Sequence, residues 1–448
     1  MDRFKVFPDM VLWVEPDAVE VTMAKKVVKG IEKARQPPEE RGLRAAGRAA
    51  RNVYVRYYSD QGEAEAEMQS MGCHPHGVAI MGPKAMHITI KVEGMDSRAA
   101  NIVKQDMLSI GGEAAASRGI IDNSIAETDV ILMGTAKQMD LLAGKMAVQP
   151  FDLPVLGKEI SALMRNVAPR TYKMRCGSST FDIGKRTYIM GVLNVTPDSF
   201  SDGGRFLDPE VAAQHAVRME KEGADLIDIG AESSRPGSDP IPLSEERGRL
   251  LPALKRVIED VKVPISVDTY KEAVAKEALD MGASMINDIS GLRFSKGMAR
   301  LAAKHDVPVV IMHMQGMPKS MQKDPRYKDP LGDVVHFFRE RVAYATWNGI
   351  SPERIILDPG IGFGKKLEHN LAILRRFREF TGLGFPLMVG TSRKSFLGHI
   401  LDLDVDGRME GTIASNVIAA SRGCDFLRVH DVAEHVKALR VVDAILDK

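Results

Sequence analysis

From residue 188 to the C-terminus, eight short apolar runs alternate with amphipathic stretches, and this alternation limits the possible folds more than any other feature of the chain. The runs are 188–193, 225–230, 264–268, 284–287, 308–312, 354–357, 386–389 and 425–429. Each is apolar almost throughout, as expected of a parallel strand covered on both faces. Segments with helical periodicity, such as 211–222 and 272–281, lie between them. Glycine ends a helix just before the next run in EGADLIDIG, MGASMINDI and RGCDFLRVH. Eight βα units in about 260 residues fit a closed (β/α)8 barrel better than an open doubly wound sheet.

The polar residues that follow the runs point to function. Leaving strands one to eight, the chain meets Asn194, Glu232, Asp268, Asn287, His313, Asp358, the group Ser392, Arg393 and Lys394, and His430. In a (β/α)8 barrel the C-terminal strand ends form the catalytic face. A single Asp or Asn there is often only a helix cap. A polar group at all eight ends is poorly explained that way.

Residues 1–170 read as a separate, small α/β domain, with the barrel in 171–448. Strands are expected at 87–92 and 128–133, and helices at 98–108 and 137–145. The basic, alanine-rich stretch QPPEERGLRAAGRAARN reads as a solvated helix face rather than an anion site. Cys73, His74 and His76 lie close in sequence but lack the paired spacing of a zinc site. Residues 169–185 read as a connector or a β-ribbon closing the barrel floor. A net charge of +1 over 448 residues argues against a nucleic-acid partner. No run approaches the roughly 20 apolar residues of a membrane span, and none at the N-terminus reads as a signal peptide. Three scattered cysteines suit a reducing cytoplasm.

Several motifs sit on the barrel rim. GVLNVTPDSFSDGG at 191–204 runs from a strand into a turn-rich loop with two carboxylates, a phenylalanine and several hydroxyls. DIGAESSRPGS at 228–238 sets Arg235 among hydroxyls and glycines, which suits an anion. Asp268, with Asn287 in the neighbouring unit, offers a carboxylate and an amide for the polar edge of a heterocycle. LDPGIGFGK at 357–365 is neither a Walker loop nor G-x-G-x-x-G, because its glycine spacing is wrong and Lys366 follows Lys365. It reads instead as a buried Asp358 with Phe363 placed against a flat ring. Arg428 and His430, two apart on a strand, face the same way and can meet phosphate oxygens. Arg393 reads equally well as a salt-bridge partner. No Ser-His-Asp arrangement or H-E-x-x-H is present, which argues against hydrolytic nucleophile chemistry.

In this order, NVTPDSFSDGG, ESSRPGS, SVDT, NDISG, IMHMQG, DPGIGFGK, TSRKSFLG and RVHD resemble the dihydropteroate synthases, pterin-binding transferases of folate biosynthesis and sulfonamide targets. The resemblance covers the chain from about Cys176 onward. It implies condensation of 6-hydroxymethyl-7,8-dihydropterin diphosphate with 4-aminobenzoate, giving 7,8-dihydropteroate and pyrophosphate. It implies that Asp268, Asn287, Asp358 and Lys394 bond the pterin ring, within a pocket lined by Ile289, Met312 and Phe363. Asn194, Arg428 and His430 would hold the pyrophosphate, with Asn194 reaching Mg2+. Asp202 on the first loop, and Ser234, Arg235 and Pro236 on the second, would close over the site. Phe200, Lys394 and Ser395 would frame the arylamine. By the same resemblance, Asp202, Arg235, Lys394, Arg428 and His430 carry the catalysis, and the enzyme is a homodimer. Ser234 stands where the family commonly has Thr, and the N-terminal domain is not part of the common pattern.

Two other functions fit these motifs less well. A pterin-dependent methyltransferase shares the barrel but needs no pyrophosphate clamp, so Arg428, His430 and the SFSDGG loop count against it. A non-catalytic pterin-binding protein predicts lost loop or clamp residues, and none is missing.

Overall fold

The computed structural model describes residues 53–168, 171–196, 208–235 and 237–446. The chain first forms helices α1 (Gln61–Ser70) and α2 (Pro75–Ala85), then strand β1 (His87–Asp96) and helix α3 (Ser97–Ser109). Strands β2 (Glu113–Ala116) and β3 (Glu127–Thr135), with helices α4 (Ala136–Met146) and α5 (Leu153–Val167), complete this layer. The three strands pair antiparallel in the order β1-β3-β2. One sheet face, with Ile90, Val130 and Leu132, packs on Val103 and Met107 of α3 and Met139 and Leu142 of α4. Alternation along β1 and β3 makes this possible, since every second side chain faces the helices. The expected pair of strands and pair of helices lie here, extended by one or a few residues. Sequence periodicity missed α1, α2, α5 and the short β2. His74 is an N-cap in this layer, its Nδ1 accepting from the His76 amide at 3.2 Å. Among the described residues no cluster of three or more His, Cys, Asp or Glu side chains could hold a metal ion. The basic stretch at 36–52 lies outside the described residues.

The barrel begins after a two-stranded ribbon, β4 (Tyr172–Cys176) and β5 (Ser179–Ile183). Its strands are β6 (Tyr188–Asn194), β7 (Leu226–Gly230), β8 (Ile265–Asp268), β9 (Met285–Asp288), β10 (Val309–Met312), β11 (Ile355–Asp358), β12 (Met388–Val389) and β13 (Phe426–Val429). All eight are parallel, in the order β11-β10-β9-β8-β7-β6-β13-β12. A parallel bridge from Leu357 to Leu387 joins the two ends and closes the barrel. The helices outside it are α6 (Pro209–Glu222), α7 (Leu243–Asp260), α8 (Glu272–Met281), α9 (Met298–His305), α10 (Pro330–Trp347), α11 (Leu367–Arg375), α12 (Ser395–Leu401), α13 (Met409–Ser421) and α14 (Val432–Leu446).

The fully apolar strands follow from this geometry, because one face meets the helices and the other the barrel axis. Ile227, Ile229, Val267 and Leu427 belong to the outer core with helix residues such as Ala216, Leu254 and Ala278. Met190, Leu226, Met285, Val310, Ile356 and Phe426 turn inward at the lower end. The ribbon contributes Met174, Phe181 and Ile183 to that inner cluster and so closes the floor. Phe181 meets Tyr188 and Phe426 edge-on, with centroids 4.8 and 5.4 Å away. Positive-φ glycines stand at all three helix ends that the sequence marked: Gly223 after α6 (φ 104°), Gly282 after α8 (φ 120°) and Gly423 after α13 (φ 89°).

Candidate active site

The upper strand ends bring polar groups from distant parts of the chain into one cluster. Asp228 on β7 and Asp268 at the end of β8 both bond Arg428 of β13. Arg428 Nε reaches Asp228 Oδ2 at 2.7 Å and Nη2 reaches Asp268 Oδ2 at 2.8 Å. Asn287 Nδ2 on β9 donates to the same Asp228 oxygen at 2.9 Å. Asp228 is fully buried, and its Oδ1 has no hydrogen-bond partner among the described residues. Burial raises the Asp268 carboxyl, against the pull of Arg428. Asp228 is the main site residue missing from the sequence expectation. Lying two residues before the end of an apolar strand, it read as part of the run, although a charge inside a buried strand is itself the signal.

Asp358, at the end of β11, is buried and raised by burial, with Lys394 the main opposing charge. Its Oδ1 accepts the Gly360 amide at 2.7 Å, which bends the following loop. Lys394 lies just before α12 and donates to the Ile361 carbonyl. Its ammonium is 4.6 Å from the Phe363 ring centroid, and burial pulls its pKa down to about 8. Ile289 and Met312 form an apolar cluster with Met314 and Met321, against which Phe363 packs. These residues make a pocket wall beside the carboxylates.

His430 stands on the other side of Arg428. Its Nδ1 is 2.9 Å from Ser392 Oγ. Burial first, then Arg428, Arg393 and Arg235, lowers its pKa to about 3, so the ring is neutral at physiological pH. Arg393 pairs with Asp431, Nε to Oδ2 at 3.1 Å, which is the salt-bridge alternative of the two weighed for it. The Arg428 guanidinium is bonded to two carboxylates, Asp228 and Asp268, a pairing that the sequence expectation did not include.

Asn194 ends β6 half-buried, Ser234 is half-buried, and Arg235 and Ser395 are exposed. Phe200, Asp202 and Pro236 lie outside the described residues. Asp288, next to Asn287, serves the backbone, accepting from the amides of Ser290 at 2.7 Å and Leu292 at 3.1 Å. Lys365 also runs inward. It is buried and close to His313 Nδ1 at 2.8 Å, Gly360 O at 3.0 Å and Phe363 O at 3.1 Å. No sequence signal separated it from a surface lysine.

Carboxylates and an amide facing an apolar wall, beside a cationic zone, describe a site for a polar flat ring carrying an anion. A model of pterin binding enzymes matches residues 190–430, which run from within β6 through β13 and reach His430. The chain belongs to the pterin-binding enzyme family. It is 46% identical over 274 residues to the dihydropteroate synthase of Clostridium beijerinckii, covering 61% of this chain and 99% of that protein. A solved dihydropteroate synthase from Xanthomonas albilineans in complex with 7,8-dihydropteroate superposes with TM-score 0.56 at 38% identity, over 62% of this chain and all of that one. A probable bifunctional folylpolyglutamate synthase/dihydropteroate synthase of Halobacterium salinarum is 41% identical over 371 residues, 83% of this chain and 44% of that protein. That alignment is longer than the barrel, so in this pterin-binding protein the likeness extends into the N-terminal layer.

Proposed function

We propose that this chain is a dihydropteroate synthase, a transferase that joins 6-hydroxymethyl-7,8-dihydropterin diphosphate to 4-aminobenzoate. The observation that carries the reading is the polar cluster of Asp228, Asn287, Asp268 and Asp358 with one buried carboxylate oxygen unfilled. A pterin edge rich in N–H donors meets such acceptors well. Relatives bearing the dihydropteroate synthase name over nearly their full length support the same activity.

In this reading Asp268, Asn287, Asp358 and Lys394 hold the ring against Ile289, Met312 and Phe363. Arg428, held in place by Asp228 and Asp268, sits where ring and diphosphate meet. Neutral His430 donates one N–H toward the diphosphate, since Ser392 occupies its other nitrogen. As the methylene C–O bond breaks, negative charge grows on the departing diphosphate, and the Arg428 guanidinium and the His430 N–H face it. The ring methylene becomes cationic beside the carboxylates. The arylamine nitrogen attacks it and then sheds a proton. It is uncharged at neutral pH, so positioning matters more than a strong base.

Asn194 would offer one amide oxygen to a magnesium ion, whose other ligands would come from diphosphate oxygens and water. When bound, it supplies charge neutralisation to the leaving group. We also assign the chain to the cytoplasm and to a homodimer. Its three cysteines are free, as a reducing compartment requires. Among the described residues no helix is long and apolar enough to cross a membrane. An apolar groove lined by Leu371, Leu374, Leu397, Ile400, Leu401 and Ile418 crosses α11, α12 and α13 and suits a second copy.

The test is pyrophosphate release from the pterin diphosphate with Mg2+, with and without 4-aminobenzoate, in wild type and Arg428→Ala. Release coupled to dihydropteroate formation, and lost in the variant, is the expected result. Pterin diphosphate binding with no product in wild type would overturn the catalytic reading and leave a pterin-binding protein.

A further inference from the structure

The loop between β7 and α7 brings Ser234 and Arg235 to the rim, and its two ends meet at one ammonium. Lys271, two residues beyond Thr269 in the next βα unit, places Nζ 2.5 Å from Glu232 Oε2 near the start of the loop. The same nitrogen is 2.7 Å from the Ile241 carbonyl near the end of the loop. Its third contact, at 2.6 Å, is Glu246 Oε2 on α7. Lys271 thus donates hydrogen bonds to Glu232 and Ile241 and forms an ion pair with Glu246. The carboxylates are held from their other sides: Tyr270 donates its hydroxyl to Glu232 Oε1 at 2.5 Å, and Thr269 donates to Glu246 Oε1 at 2.6 Å. Glu246 is 1% exposed, so the network is set into the barrel wall.

This network adjoins the site. Glu232, Ser233, Ser234, Asp268, Tyr270 and Ile289 line one small cavity. The tip of the loop is held separately, by the Gly237 amide on Pro318 O at 3.1 Å and by Ser238 Oγ on Ser233 O at 2.6 Å. The span that carries Ser234 and Arg235 is therefore fixed at both ends by a group outside it. We propose that Lys271 is a positioning residue for the transfer reaction: it clasps the loop at Glu232 and Ile241 and so presents Ser234 and Arg235 to the second substrate. Tyr270 and Glu246 complete the clasp. Without it the loop must be ordered when the arylamine binds, and that entropy opposes binding. Of the ring subsite, Asn287, Asp358 and Lys394 lie in other βα units and Asp268 is held by Arg428, so none of the four bonds Lys271. The inference rests on the synthase reading above.

The experiment compares wild type, Lys271→Met, Lys271→Arg and Tyr270→Phe. It measures kcat and the KM for 4-aminobenzoate, and the Kd for 6-hydroxymethyl-7,8-dihydropterin diphosphate without arylamine. Lys271→Met is expected to raise the arylamine KM on the order of 10- to 100-fold, the scale of a lost charged hydrogen bond. Pterin diphosphate affinity is expected to stay within about twofold, a change too small to count as a lost contact. Lys271→Arg should restore most of the effect, because a guanidinium can also bridge two carboxylates. Tyr270→Phe should move KM in the same direction by less, and it carries the test if Lys271→Met does not fold. Unchanged KM in folded Lys271→Met, or in Tyr270→Phe where Lys271→Met does not fold, overturns the proposal. So does an equal weakening of pterin diphosphate and arylamine, which marks a merely structural role. A wild-type chain that makes no dihydropteroate overturns the activity reading, and this inference with it. Normal wild-type turnover with an unaltered Lys271→Met overturns the clasp alone.

Discussion

Lys394 carries the clearest pH dependence in the site. Burial lowers its pKa from an ordinary 10.5 to about 8. Between those values the unfolded chain holds the extra proton, so this group by itself makes the folded state more stable as pH rises. Ligand binding runs the opposite way. The ring needs the ammonium as donor, so pterin diphosphate affinity should fall as pH passes upward through about 8. Isothermal titration across that range would show the loss, and Lys394→Arg should move it to much higher pH while weakening the bond geometry. An affinity flat across the same range would remove Lys394 from the ring contacts. His430, also a depressed base, has the same sign. With a pKa of about 3 in place of 6.5, its contribution to stability is lost progressively as pH drops between those values. The residue types at the rim were legible because eight strand ends in one fold class converge on one face. Their pairing was not. No spacing in the sequence shows that Arg428 closes on Asp228, 200 positions away, before it meets any anion.

At the scale of elements, the loop after β11 shows how glycine spacing is to be understood. Gly360 has φ 65°, and a Cβ there would lie 2.1 Å from the His313 carbonyl oxygen. Gly364 has φ 61°, and its Cβ would lie 2.4 Å from Gln315 O. The glycines let two backbones touch, and Lys365 ties them together through carbonyls of both. Gly360→Ala is therefore expected to cost on the order of 1–3 kcal/mol of strain, more if His313 cannot move. A melting temperature several degrees lower, together with weaker pterin diphosphate binding, would confirm it; an unchanged melting temperature would refute it. The barrel strands were legible because burial on both faces makes them uniformly apolar. The helices α1 and α5 were not, for different reasons. QGEAEAEMQS has no apolar stripe to read, and Pro154 and Gly157 interrupt the helical signal of α5. Pro154 is in fact tolerated in the first turn, where its missing N–H has no helical partner to lose.

At the scale of the molecule, the N-terminal layer reaches the barrel through α5. Asn166 Nδ2 donates to Gly382 O at 3.0 Å, and Leu163 packs near the same glycine. Arg378 adds a bond of 3.0 Å to Ser59 O. None of these residues reads as an interface in sequence, because each partner lies more than 200 positions from the other. The exposed apolar groove across α11, α12 and α13 makes a separate prediction. Sedimentation velocity should give a dimer for wild type, and Ile400→Glu with Ile418→Glu should give a monomer that still binds the pterin diphosphate. Ile400 is 52% and Ile418 45% exposed, so the charges should not disturb the core of the isolated chain. A wild-type monomer at micromolar concentration would refute the dimer. The ribbon under the barrel bears on traffic through the site. With Met174, Phe181 and Ile183 stoppering the lower end, the described residues leave the ring pocket open toward the upper rim. On the synthase reading, whatever binds deepest should arrive before that rim is occupied and depart only after it clears. The heterocycle should then be the first guest in, the arylamine the second, and the joined product should leave by the way both came.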